Sequence, residues 1–349
     1  MSQRISRQNI NLSNYLSRRS GLAGLIGLAA GMAGIADIDA KKKKKKKKKT
    51  ATVCATGCTY TTLAAAVAAT SAGGSICLKN GNYEGGIEIN KAMTISNCTI
   101  DDVVTITAPE ASRVFTVSMG SSRSTLTLTG VGEDRFTLIG LTNAVTEGGV
   151  IAIGSSGDTG SSVGNIEMRQ VVLKDAAVSG LGGGAIYGRT SGTIRLTDTS
   201  IVTCNAFTHG GGIDMNGGTL TLDGASVIKD CNAQQGAGIW LGGGARLNLN
   251  GTSVIGGPES HAYKNEAWDP AVGFGGGIYA GAATTVSMSS TAEIRSNKAN
   301  ISGGGIYAEE SATLLGSATC TNTAKIANNT LGTGGGVGPQ IYHVNHATC

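Results

Sequence analysis

A short glycine phrase returns through the second half of this chain: Gly183-Gly184-Ala185-Ile186-Tyr187, Gly210-Gly211-Gly212-Ile213-Asp214, Gly236-Ala237-Gly238-Ile239-Trp240, Gly275-Gly276-Gly277-Ile278-Tyr279 and Gly303-Gly304-Gly305-Ile306-Tyr307. A degenerate sixth copy ends at Val337. With the aliphatic residue as marker, the copies are 27, 26, 39, 28 and 31 residues apart. Such a period means a repeat architecture, in which each unit stacks on its neighbours.

Behind each marker the apolar residues alternate, as in Ile194 and Leu196, Leu220 and Leu222, Leu247 and Leu249, and Val286 and Met288. A period of two belongs to strands. A third apolar position precedes an asparagine in Ile201 to Asn205, Val227 to Asn232, Ile294 to Asn297 and Ile326 to Asn329. Each unit therefore supplies about three short strands and no helix. Stacked at about 4.8 Å, every strand pairs with its copy above and below. The predicted fold is all-β: a right-handed parallel β-helix of about ten coils, right-handed because crossovers between parallel strands nearly always are. Ile186, Ile213, Ile239, Ile278, Ile306 and Val337 should form one interior column. Asn205, Asn232, Asn265, Asn297 and Asn329 should occupy one turn and hydrogen-bond along the stack. The triple glycines read as turn formers, because neither the Lys-Ser/Thr nor the helix of a phosphate-binding loop follows them.

These motifs carry a resemblance. Gly183-Gly184-Ala185-Ile186, its Gly-Gly-Gly-Ile variants and the aliphatic-x-x-Asn of Ile294 to Asn297 and Ile326 to Asn329 resemble the paired motifs of polymorphic outer membrane protein repeats. The repeat motifs cover about Gly148 to the C-terminus, and the chain also resembles the wider pectin-lyase-like β-helix superfamily. The resemblance implies the β-helix and says little about activity. Ile stands where the second motif usually has an aromatic residue, and no transmembrane barrel is expected after the repeats.

Glycine supplies 55 of 349 residues, about twice the usual share, so the core must come from small and β-branched side chains. Residues 1–36 read as an export signal: Ser17-Arg18-Arg19-Ser20 precedes an apolar run from Gly21 to Ala36 and resembles the twin-arginine type of bacterial signal, with Gly34-Ile35-Ala36 as a cleavage site. The run is shorter than the roughly 20 apolar residues of a membrane span. An extracellular or cell-surface location is expected.

Residues 37–53 read as a tether, because the nine lysines Lys41 to Lys49 repel one another. Thirteen of the 28 basic residues but two of the 23 acidic ones precede residue 50, leaving 15 against 21 and a formal charge of −6 beyond it. The overall charge of +5 is therefore no argument for nucleic-acid binding by the body. The lysine run would suit anionic cell-envelope polymers or lipid head groups, or serve as a passive spacer.

The solenoid is expected over residues 54–349. Thr61-Thr62-Leu63-Ala64-Ala65-Ala66-Val67-Ala68-Ala69 should form a short capping helix, with Gly73-Gly74 as its stop. Together with Asn80-Gly81-Asn82-Tyr83 this order is similar to the N-terminal cap of pectin-lyase-like β-helices. The eight cysteines of an exported chain suggest disulfides. Cys204 and Cys231 precede equivalent asparagines one rung apart, within the span of a bridge. The remaining pairings, Cys54 with Cys58, Cys77 with Cys98 and Cys320 with Cys349, are assigned without a geometric argument. No metal or other cofactor is expected, since no histidine or second close cysteine pair accompanies Cys54-x3-Cys58.

An enzyme of this fold would need clustered carboxylates on an outward face. Register places Glu167, Arg195, Thr221, Asn248 and Ser287 on one outward line and Arg169, Thr197, Asp223 and Asn250 on the next, without adjacent carboxylates. Glu167 and Arg195 read as a surface charge pair, and His209, His343 and His346 as free surface histidines. A polysaccharide lyase or hydrolase is thus the alternative to a binding role.

Two features could bind a partner such as a polysaccharide. The residues after the markers, Tyr187, Asp214, Trp240, Tyr279 and Tyr307, should form an exterior row that either stabilises the sheet by stacking or presents a platform for sugar rings. The 39-residue interval implies a surface insertion carrying His261, Trp268 and Asp269, springing from between Trp240 and Tyr279 and either walling a groove there or having no role.

Overall fold

Alternating apolar residues turn one face of each strand inward, and here three strands per coil close around one main core. The computed structural model describes residues 50–120, 123–140, 142–144, 147–154, 164–258, 264–319, 325–332 and 337–344. The fold is a right-handed parallel β-helix. Among the described residues its first sheet has ten strands, from Ala51–Val53 to Thr313–Gly316, its second fourteen, and its third nine, from Ile87–Ile89 to Ile341–His343. Successive coils visit the sheets in the same order, so each strand lies parallel to its equivalent one coil away. Ala51–Val53 pairs with Gly74–Leu78, so the solenoid begins within the segment read as tether. The cysteine candidates Cys320 and Cys349, the lysine run and the export signal lie outside the described residues.

The capping helix spans Leu63–Ala69. Thr62 starts it by accepting a hydrogen bond from the Ala65 amide, and Leu63, Ala66 and Val67 are buried in the core. No helix among the described residues is long and apolar enough to cross a membrane.

The interior column runs Ile87, Phe115, Ile151, Ile186, Ile213, Ile239, Ile278, Ile306 and Ile341. Its last member is Ile341 rather than Val337, which is 50% exposed. The repeat is defined by one left-handed glycine three residues before the column: Gly183, Gly210, Gly236, Gly275, Gly303 and Gly338 all have positive φ. A β-carbon on any of them would strike the carbonyl of that aliphatic residue. In the last coil this frame reads Gly338-Pro339-Gln340-Ile341, and the triple glycine upstream lies outside the described residues.

The asparagines divide between two columns. Asn205 pairs with Asn232, which then faces Glu266. Asn265, Asn297 and Asn329 continue the neighbouring column, where the amide of Cys231 donates to Asn265 Oδ1. Asn265 Nδ2 donates to Asn297 Oδ1 at 2.9 Å, and Asn297 Nδ2 to Asn329 Oδ1 at 2.9 Å. The left-handed turn residues are instead Asp175, Thr203, Asp230, Ser296 and Asn328.

Disulfides join Cys54 to Cys58 and Cys77 to Cys98. Cys204 and Cys231 are both buried but unbridged, a correction to the sequence reading. In-register parallel strands hold β-carbons about 4.8 Å apart and pointing the same way, beyond the 3.5–4.5 Å that a disulfide requires. Each thiol instead donates to the carbonyl two residues back, Val202 or Lys229.

Candidate functional site

The third sheet carries its predicted outer row in register: Tyr187, Asp214, Trp240, Tyr279, Tyr307 and, in the last coil, Tyr342. In-register stacking turns the rings face to face. Trp240 and Tyr279 lie 6.1 Å apart at 10°, Tyr279 and Tyr307 5.1 Å at 17°, and Tyr307 and Tyr342 5.3 Å at 19°. Their faces are spent on one another, and Tyr187 and Tyr279 are only 5% and 8% exposed. The row is therefore a stacked ladder showing edges to solvent, not an open platform of ring faces.

Asp214 is the one non-aromatic member. The residue before each turn glycine forms an adjoining column: Glu147, Gly182, His209, Gln235, Phe274 and Ser302. Gly182 leaves a gap there, and the Asp214 carboxyl fills it. His209 in turn leans the other way and stacks on Trp240 at 4.7 Å, so an imidazole continues the ladder. The two side chains stay within reach, with His209 Nδ1 3.9 Å from Asp214 Oδ2.

Burial sets the electrostatics of this corner. Asp214 is 3% exposed, and desolvation, followed by the charge of Glu147, pushes its pKa up to about 8. Desolvation also holds His209 below its ordinary value and lifts Tyr187 to about 12. Arg113 is held below the usual range by burial, against the opposing pull of Glu147. The sequence reading missed Glu147, Arg113 and Arg189. Glu147 was legible as the residue preceding a turn glycine in an earlier, irregular coil.

The first sheet presents a second candidate. Thr127, Thr129, Glu167, Arg169, Arg195, Thr197 and Asp223 line a groove of about 390 Å³ across four successive strands. The two outward lines lie as expected, but Arg195 pairs with Asp223 rather than with Glu167. The carboxylate reaches diagonally to the guanidinium, whereas Glu167 lies directly beside it and makes no ion pair. Asp223 is held below the usual carboxylate range, first by the Gly224 amide and then by Arg195. Glu167 and Arg169 make no hydrogen bond or ion pair among the described residues.

The insertion is split around the short strand Glu266–Ala267, which keeps its register with Asn232 and Ala233. Trp268 packs its ring 5.9 Å from Phe207 and is 36% exposed, on the side of the second sheet. Asp269 closes its own turn, accepting from the Ala271 and Val272 amides at 2.7 and 3.0 Å and from Gln234 at 2.9 Å. No ring pair, hydrogen bond or ion pair joins Trp268 or Asp269 to Trp240 or Tyr279 among the described residues, and His261 lies outside them. His343, read as a free surface residue, is 7% exposed, with Nε2 3.1 Å from the Ala312 carbonyl. It follows Tyr342 on the last strand, and the alternation turns it inward; His346 lies outside the described residues. No group of three or more metal-ligating side chains occurs among the described residues. No protein-family model, curated protein or solved structure matches this chain.

Proposed function

We propose that this chain is an exported, cell-surface β-helix protein that holds a polysaccharide along the outer face of its first sheet. The observation that carries the reading is the polar groove over Thr127, Glu167, Arg169, Arg195 and Asp223, in which Arg169 and Glu167 make no hydrogen bond or ion pair among the described residues, Arg169 adding only its charge to the field on Asp223. Hydroxyls and charges repeated at the strand spacing suit a polymer whose own hydroxyls and carboxylates repeat along its length. The lysine run would add attraction to anionic envelope polymers. The likeness of the repeats to polymorphic outer membrane and pectin-lyase-like proteins supports an extracellular role.

A lyase or hydrolase would need a group in the groove that exchanges a proton near neutral pH. Asp223 is held ionised by Gly224 and Arg195, which favours binding over turnover. Titration calorimetry with a panel of neutral and acidic polysaccharides tests the reading. Affinity should be roughly micromolar to millimolar, because an open groove desolvates little surface. Arg169→Ala should weaken binding of uronate polymers at least about tenfold. No binding by the native protein, or binding indifferent to Arg169→Ala and Glu167→Ala, would remove the groove as the site, and release of unsaturated or reducing sugar ends would favour the enzyme.

A further inference from the structure

We infer that Asp214, Glu147 and His209 form a proton-operated lock on the third sheet, closed while Asp214 carries a proton and loosened when it gives that proton up. The geometry is a cross-over of two neighbouring columns. The Asp214 carboxyl occupies the place a side chain on Gly182 would take, and His209 occupies the ladder position that an aromatic residue at 214 would fill. At 3% exposure Asp214 makes no hydrogen bond among the described residues, and its one ion-pair distance there is to His209 Nδ1 at 3.9 Å. A buried carboxyl without hydrogen bonds is tolerable as the neutral acid and costly as the anion.

The charged groups around it set how costly the Asp214 anion is. Glu147, 2% exposed, stands one rung from Gly182, and its charge acts on Arg113 against the effect of burial. Tyr187, on the rung before Asp214, keeps its hydroxyl proton and is hydrogen-bonded by Arg189, so that guanidinium is engaged there. Trp240, on the rung after, offers a ring and no charge. Burial keeps His209 neutral and unable to balance an Asp214 anion. When Asp214 loses its proton to solvent, two carboxylates share a dry corner, with Arg189 engaged by Tyr187 and Arg113 acting on Glu147. The relief open to the chain is for Asp214 to swing outward from the Gly182 gap. That movement sweeps through the His209 position and lifts the imidazole from Trp240.

Trp240 reports the event directly. In a full-length Trp268→Phe background, the emission of Trp240 is followed from about pH 6 to about pH 9.5. The lock predicts a transition near pH 8. It should be absent in Asp214→Asn and shifted down by about one pH unit in Glu147→Gln, which removes the repelling charge. Should Asp214→Asn fail to fold, amide exchange of the Gly182 and His209 segments in the native chain, corrected for intrinsic rates, must rise through the same pH range. A Trp240 signal that is flat, or that titrates identically in Asp214→Asn, overturns the lock, and so does exchange that does not change through that range.

Discussion

Oδ2 of Asp214 lies in the space that a side chain on Gly182 would need, so these residues form one packing unit across adjacent coils. Gly182→Ala should displace the carboxyl and destabilise the fold by roughly 1–3 kcal/mol. In an Asp214→Ala background that cost should fall by about half, the remainder coming from the nearby His209 carbonyl. Urea denaturation of the four proteins of this cycle measures the coupling, and purely additive costs would mean the two residues do not share the space.

Asp214 also makes stability depend on pH with a definite sign. Its folded-state pKa of about 8 lies above the ordinary 3.8, so the folded state binds the proton more tightly. Its contribution to stability is therefore fully present below about pH 4 and is lost as pH rises through about pH 8. Denaturation midpoints measured at intervals should show native stability falling relative to Asp214→Asn across this window, by at most several kcal/mol. Parallel pH profiles would contradict the assignment.

The interior column tolerates no charge. Ile239→Asp or Ile278→Asp places an unpaired carboxylate at a position with 0% exposure and should cost several kcal/mol, enough to abolish folding. Ser287→Asp, on the outer face of the first sheet, should change stability by less than about 0.5 kcal/mol. Circular dichroism and thermal melts of the three variants decide the matter.

Within the asparagine columns, cost should follow burial. Asn297 is 1% exposed and bonds Asn265, Asn329 and the Ile255 carbonyl. Asn297→Ala strands these partners and should cost about 2–3 kcal/mol, whereas Asn205→Ala, at the half-buried end of the other column, should cost under about 1 kcal/mol. Equal losses in chemical denaturation would count against two separate columns.

Cys204 and Cys231 should remain thiols. Burial, with the neighbouring Cys204 side chain second, pushes the Cys231 thiol well above its ordinary value, leaving almost no reactive thiolate at neutral pH. Alkylation of the native protein should spare both residues, and alkylation after unfolding without reductant should modify both, as read by peptide mass spectrometry. A Cys204–Cys231 peptide pair under non-reducing conditions would refute this.

The period, the alternation and the turn glycines determined the coil, the cap, the interior column and the outer row, because stacking at a fixed strand spacing places like residues over like. The sequence could not place Ile341 at the end of the column, since Val337 carries the better local match and only the left-handed frame of Gly338 distinguishes them. Nor could it show that the insertion splits around Glu266–Ala267, which depends on pairing with Asn232 and Ala233 from the coil before. It put Tyr187, Asp214 and Trp240 in one row but could not say whether faces or edges meet the solvent. That follows from how neighbouring rings pack. The exchange of places by Asp214 and His209 has the same origin. It arises because Gly182, a coil away, leaves a gap, and a one-dimensional pattern does not record which void a side chain falls into.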